Sequence, residues 1–243
     1  MARYIMTLLR WMAEYLVINL TAMLAGLIFR LTQRVRIYGF ENMVYQTNMI
    51  VASNHQTFVD SFLVGPMLFF PRSLIQPRLI PWHLAASENF FKTGFYALMG
   101  RLWHAIPVRP GRKDTALLHR LTRELPGKVI HFFPEGTRSR DGSISEAAPG
   151  FGIIIYRCRP TVIPVRIIGM DRVQPVGHKM LGGQIFAVKR LFQKVTIIVG
   201  PPVELSDLLD QPYSREVAWK IGSRVMSAIR SLEPPVRQKA SGY

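Results

Sequence analysis

Met49-Ile50-Val51-Ala52-Ser53-Asn54-His55-Gln56-Thr57-Phe58-Val59-Asp60 is the stretch on which the reading of this chain turns. Met49 to Ala52 is wholly apolar, as expected of a strand covered on both faces. Polar residues follow through Thr57, and a largely apolar run extends from Phe58 to Val64. Strand, turn and helix are the elements this order predicts. A histidine and a carboxylate sit inside it, five positions apart. On one straight helix, residues so spaced point about 140° away from each other and cannot meet. They can meet if His55 lies in the turn and Asp60 in the first turn of the following helix. A neutral imidazole suits proton transfer near neutral pH, and a carboxylate can fix its tautomer and stabilise its charged form. Alone, the pair is a weak signal, because a histidine near a strand end is more often structural than catalytic.

Outward from this stretch, the chain alternates strand-like and helix-like segments. Val35 to Gly39 alternates as an edge strand does, and Glu41 to Asn48 is a mostly polar connection. Ala105-Ile106-Pro107-Val108, Lys128 to Phe133, Val162 to Ile168 and Val195 to Val199 read as further strands. Pro164 predicts an edge or a bulge in its strand. Helices are expected over Glu88 to Leu102, Asp114 to Leu125, Gly150 to Cys158 and Arg215 to Leu232. The last carries Val217, Ile221, Val225 and Ile229 on one face. Phe58 to Phe70 should be a short helix that Gly65-Pro66 breaks or kinks, and Pro71, Pro77 and Pro81 should break regular structure after it. Phe69, Phe70, Leu74, Ile75, Leu79, Ile80 and Trp82 in that region could line an acyl-chain path, touch lipid or simply pack over the core. Gly182 to Phe192 is ambiguous. The fold class is α/β, with a mixed central sheet flanked by helices.

Composition narrows the partners. Lys and Arg number 31 against 15 Asp and Glu, a net charge of +16, while 49% of residues are apolar and only 19% charged. The charge calls for an anionic partner, and the apolar excess favours a membrane surface over nucleic acid. Tyr15 to Phe29 holds no charge, and Arg30, Arg34 and Arg36 follow it. Such a segment is either a short transmembrane anchor or a helix lying in the interface, with a buried core helix as the plainer alternative. The basic flank would keep the rest of the chain on the cytoplasmic side. Residues 1–34 are therefore expected to be a membrane-associated helical segment, 35–232 one catalytic domain and 233–243 a disordered tail. Cys158 is the single cysteine, which excludes a disulfide framework and a thiolate metal cluster. His83, His104, His119, His131 and His178 lack metal-ligand spacing and read as surface or packed residues, so no metal is expected.

Two further stretches carry chemistry. Ala105 to Val108 runs into Arg109-Pro110-Gly111-Arg112-Lys113, a basic loop just past a strand, where ligands of parallel sheets bind. Lys128 to Phe133 runs into Pro134-Glu135-Gly136-Thr137-Arg138-Ser139-Arg140, where a glycine lets the backbone approach a ligand and Thr, Arg and Ser supply donors for an anion.

Together, Asn54 to Asp60, Ile106-Pro107-Val108-Arg109, Phe133 to Ser139 and the apolar block Val162-Ile163-Pro164-Val165 resemble the motifs of the glycerophospholipid acyltransferases, most of all the 1-acylglycerol-3-phosphate acyltransferases. The resemblance covers about residues 35–200. It implies transfer of a fatty acyl group from an acyl thioester, carried by coenzyme A or acyl carrier protein, to the free hydroxyl of a lysophospholipid. No cofactor is implied. His55 would then be the general base, Asp60 its orienter, and Arg109, Gly136, Thr137 and Arg138 the phosphate site. Glu135 would organise the acceptor pocket by pairing an arginine or holding the glycerol hydroxyl. Glycerol 3-phosphate or a lyso-aminolipid stays open as acceptor. A non-catalytic basic protein docking on anionic lipid is the alternative from another class.

Overall fold

The computed structural model describes residues 2–87, 91, 94–109, 115–139, 142–174 and 190–235. Among the described residues, seven strands form one sheet: β1 (Arg34–Tyr38), β2 (Met49–Ser53), β3 (Trp82–Ala86), β4 (Ala105–Val108), β5 (Val129–Phe132), β6 (Thr161–Ile168) and β7 (Lys194–Val199). Their order is β1-β7-β6-β2-β5-β3-β4, and every neighbouring pair is parallel except β6 with β7. The sheet is therefore mixed, with β1 and β4 at its edges. The longer helices are α1 (Ala2–Thr32), α2 (Asp60–Phe69), α3 (Gly94–Leu102), α4 (Thr115–Glu124), α5 (Pro149–Cys158) and α6 (Arg215–Ser231).

β2 is buried at every position because it lies mid-sheet with helices on both faces. Met49 and Val51 face a core shared with α2 and the end of α1, through Leu63, Val64, Met67 and Phe29. Ile50 and Ala52 face the opposite core, built with Leu121 of α4, Phe151 and Ile155 of α5, and Ile221 and Val225 of α6. The alternation of side chains along a strand divides one apolar run between two cores. In α6, Ser214 caps the first turn by accepting the Val217 N–H at 3.0 Å.

Two expectations need correction. α2 runs unbroken through Gly65-Pro66. Proline removes one hydrogen bond in the second turn, but Gly65 to Phe69 are all buried, and tertiary packing outweighs local preference there. Pro164 lies in β6, an interior strand. The Thr161 N–H points to Asn48 O on the β2 side, and Pro164 O accepts from Gly200 on the β7 side. The proline nitrogen thus faces the place where β7 ends, and the missing donor falls at the end of that ladder. Pro71, Pro77 and Pro81 do stand at boundaries, before a turn of helix at Arg72–Ile75, at the start of a 3₁₀ turn at Pro77–Leu79 and before β3, a strand the sequence did not disclose. Of the helix expected over Glu88 to Leu102, Gly94–Leu102 is seen. Residues 88–90 and 92–93, the ambiguous 182–189, His178 and the tail from 236 lie outside the described residues.

α1 is a single helix of 31 residues, about 46 Å long at 1.5 Å per residue. It is long and apolar enough to cross a membrane. Its second half is docked along the domain. Tyr15 donates its hydroxyl to Leu74 O at 2.9 Å, Ser73 donates to Asn19 Oδ1 at 2.8 Å, and Trp103 Nε1 donates to Thr21 Oγ1 at 3.1 Å. Gly26 faces Pro66, Phe29 is buried, and Gln33 holds Arg190 O and the Gln193 N–H. The other face is bare: Leu9, Leu16, Leu20, Leu24, Leu27 and Leu31 are all exposed.

Candidate active site

His55 and Asp60 meet across the turn between β2 and α2. His55 Nδ1 stands 3.0 Å from Asp60 Oδ2. The same oxygen accepts the N–H groups of Gln56 at 2.6 Å and Thr57 at 2.8 Å, and Asp60 Oδ1 accepts the Thr57 hydroxyl at 2.6 Å. Asp60 is fully buried. Four donors replace the water that an ionised carboxylate loses on burial. A carboxylate only accepts, so the proton of this pair belongs to His55 Nδ1, and Nε2 is left as the basic nitrogen.

The turn itself is pinned from both sides. Asn54 donates through Nδ2 to Ile167 O at 2.9 Å and accepts the Ile167 N–H at 2.7 Å. Gln56 Oε1 accepts the Met170 N–H at 3.0 Å. The His55 N–H donates to Glu135 Oε1 at 3.0 Å, and Ser139 N–H donates to His55 O at 2.8 Å. The imidazole lies flat on Phe133, with ring centroids 3.7 Å apart and planes 13° from parallel.

Glu135 is buried and its second oxygen accepts the Ser145 N–H at 2.9 Å. Its carboxylate thus ties the His55 turn to the loop that leads into α5. One backbone N–H reaches each of its oxygens. Gly136 follows at φ 69°, a backbone conformation that favours glycine, and its N–H closes a turn onto Phe133 O at 3.0 Å. Thr137 is exposed, and Arg138 lays its guanidinium over the Phe58 ring, 3.6 Å from the centroid.

A cavity of about 1170 Å³ opens here. His55, Arg109, Gly136, Thr137 and Arg138 all line it, so residues from the ends of β2, β4 and β5 converge on one space. That is the carboxyl-end location at which open α/β sheets hold ligands. Residues 110–114 and 140, which include Arg112 and Lys113 of the basic loop, lie outside the described residues. Away from the arginines the cavity is mostly apolar, running past Phe62, Pro66, Phe69 and Ile80 to Ile18 and Ala22 of α1. Phe69 and Ile80 from the proline-rich stretch thus join the wall, while Leu74 and Ile75 are exposed. Among the described residues, no group of three His, Cys, Asp or Glu side chains comes together as a metal site.

One cluster escaped the sequence reading. Ser53 Oγ lies 2.8 Å from His131 Nε2, and His131 Nδ1 lies 3.3 Å from His83 Nδ1. His131 is fully buried, and its ring meets Phe133 edge-on, with centroids 4.6 Å apart. Burial holds the His131 imidazole well below the usual range, with the fields of His83 and His55 adding to it. Burial, then the nearby His104, lowers His83 to about 4. Both rings are neutral near pH 7. Only the sheet order could have revealed the cluster, because His83 and His131 are register partners on β3 and β5.

The fold and sequence have relatives. A chloroplastic 1-acyl-sn-glycerol-3-phosphate acyltransferase of Arabidopsis thaliana is 26% identical over 156 residues, covering 60% of this chain and 39% of that protein. This chain thus spans about two fifths of that relative's length. A 1-acyl-sn-glycerol-3-phosphate acyltransferase of Bacillus subtilis is 22% identical over 84% of this chain and 90% of its own length. The crystal structure of the 1-acyl-sn-glycerophosphate acyltransferase PlsC from Thermotoga maritima superposes with a TM-score of 0.61 at 21% identity, over 91% of this chain and 83% of that one, a likeness of fold. The Acyltransferase family pattern matches residues 34–168, more than half of the chain and all of the His55, Arg109 and Glu135–Arg138 segments, and the protein belongs to that family.

Proposed function

We propose that the protein moves a fatty acyl group from an acyl thioester to the free hydroxyl of a lysophospholipid, 1-acylglycerol-3-phosphate above other acceptors. One observation carries this reading: the His55–Asp60 pair, joined at 3.0 Å, opens on the same cavity as Arg109 and Arg138. His55 Nε2 takes the proton of the acceptor hydroxyl as its oxygen attacks the thioester carbonyl. The carbon–sulfur bond then breaks, and the thiolate leaves with the proton held on the imidazolium. Asp60 stabilises that imidazolium and keeps Nε2 available. General-base help of this kind contributes about 10²- to 10⁴-fold. The thioester is already activated, so no enzyme nucleophile is required.

Arg109 and Arg138 suit a phosphate dianion, which calls for guanidinium forks. The Phe58 ring beneath Arg138 holds one such fork at the cavity. The apolar remainder of the cavity accepts the acyl chain, delivered by coenzyme A or acyl carrier protein. The bare face of α1 lies against the bilayer, with the active site on the cytoplasmic face. The likeness to acyltransferases named for 1-acyl-sn-glycerol-3-phosphate supports the acceptor. Glycerol 3-phosphate and lyso-aminolipids are the controls in a screen with a labelled acyl thioester. His55→Ala should abolish transfer and keep membrane binding; undiminished turnover in that variant would sink the reading. Arg138→Ala should chiefly raise KM for the phosphate acceptor, and an effect confined to the acyl donor would contradict its assignment.

A further inference from the structure

The apolar arm of the cavity contains a polar atom that acyl transfer does not use. His83 lies deep in the molecule yet keeps accessible surface, and it lines this cavity. Its Nδ1 is engaged with His131. Its Cε1 and Nε2 face Gly65 of α2: a Cβ built on that glycine would lie at ordinary contact distance, 3.8 Å from both atoms. Phe62, Pro66, Phe69, Ile80 and Pro81 form the surrounding wall. α2 therefore carries a glycine, a poor helix former, opposite this edge of His83, and the missing side chain leaves the room of a methyl group beside Nε2.

We propose that His83 Nε2 is a recognition site for a hydroxyl group on the acyl chain of the donor, so that hydroxyacyl thioesters are preferred over plain ones. The inference rests on the acyl-transfer reading for the identity of what fills the arm. A plain alkyl chain passing this point would exclude water from Nε2 and leave a polar atom unpaired in an apolar wall, which is costly. A hydroxyl removes that cost. It is also the group that fits either state of the chain Ser53–His131–His83. With His131 donating from Nδ1 to His83, His83 carries its proton on Nε2 and donates into the arm. With His83 donating from Nδ1 to His131, Nε2 accepts. A hydroxyl answers both, because it can donate and accept. Sites built around a substrate hydroxyl discriminate strongly against analogues that lack it.

The test uses the full chain in detergent micelles, with calorimetric binding of palmitoyl-CoA against its α-hydroxy and β-hydroxy derivatives. At least one hydroxylated donor should bind about tenfold tighter than the plain one, matching the cost of an unpaired buried polar atom. The ratio should fall close to one in His83→Phe. It should also fall in Gly65→Ala, whose methyl takes the space beside Nε2 at ordinary contact distance and favours the helix, which keeps the test independent of any folding defect in the first variant. A ratio near one in the wild type, or an unchanged ratio in both variants, would overturn the proposal. Acyl transfer is measured separately. Hydroxyl preference in binding without transfer from any donor would remove the acyltransferase reading and leave this site standing; transfer without preference would do the reverse.

Discussion

Replacing Asp60 with asparagine isolates the electrostatic part of the site. The carboxylate is fully buried, takes three donors on Oδ2 and one on Oδ1, and lies outside the cavity wall. An amide can keep most of this. Its oxygen can replace Oδ2, and its NH₂ can face Thr57 Oγ1, which rotates its own proton away and accepts. The loss is the negative charge beside an imidazole that, in the proposed step, becomes cationic in the transition state. Two unit charges about 4 Å apart at an effective dielectric of about 20 attract by about 4 kcal/mol. At 1.36 kcal/mol per decade that is close to three decades, and the residual amide dipole recovers some of it. We expect Asp60→Asn to lower kcat by about 10²- to 10³-fold, with KM for the acceptor within about threefold, because the residue does not reach substrate. The assay is the initial rate of labelled acyl transfer to lysophosphatidate, run beside a thermal melt. A folded Asp60→Asn protein whose kcat stays within about fivefold of wild type would refute the claim that Asp60 charge drives the step.

Glu135→Gln should be less active and less stable, because its amide NH₂ must confront one of the two N–H groups that Glu135 now accepts. The expected loss is about 1–3 kcal/mol in denaturant titration, with kcat falling more than KM changes. Gly152→Ala should be severe: the added Cβ would sit 1.8 Å from Ala218 O, where α5 crosses the α6 backbone. A loss above about 3 kcal/mol is expected, and wild-type stability would show that the helices separate freely. Stability should also fall as pH drops from about 6.5 toward 4. His83 is depressed to about 4 when folded, so the unfolded chain binds more protons across that window. Its contribution, on the order of 3 kcal/mol, is present above pH 6.5 and lost on the acid side; His83→Phe should flatten the Tm profile there.

Much of this was legible in the chain. β2 and β5 read directly, because strands covered on both faces are short apolar runs, and the turn between Ala52 and Asp60 was set by a polar gap of the right length. Arg109 and Arg138, which line the cavity, stand in loops just past strand ends, where such sheets hold ligands. What stayed hidden depended on distant neighbours. The tie that Glu135 makes to the turn could not be read, because the N–H it accepts belongs to His55, eighty residues earlier. His83 and His131 look scattered, since only the placing of β3 beside β5 joins them. Pro66 and Pro164 misled for one reason: local rules count the donor a proline lacks, whereas packing and the end of a ladder decide whether that donor is missed.

The docking of α1 bears on how the protein can be dissected. Ile18, Thr21 and Ala22 belong to the cavity wall, and Phe29 to the core beneath β2. Cutting the chain before β1 to obtain a water-soluble fragment would remove one side of that cavity. It would also uncover the apolar surfaces of α2 and α3 and strand the hydrogen-bonding partners of Tyr15, Asn19 and Thr21. The first helix serves as cladding as much as tether, and solubility is better sought by recolouring its outward leucines than by amputation.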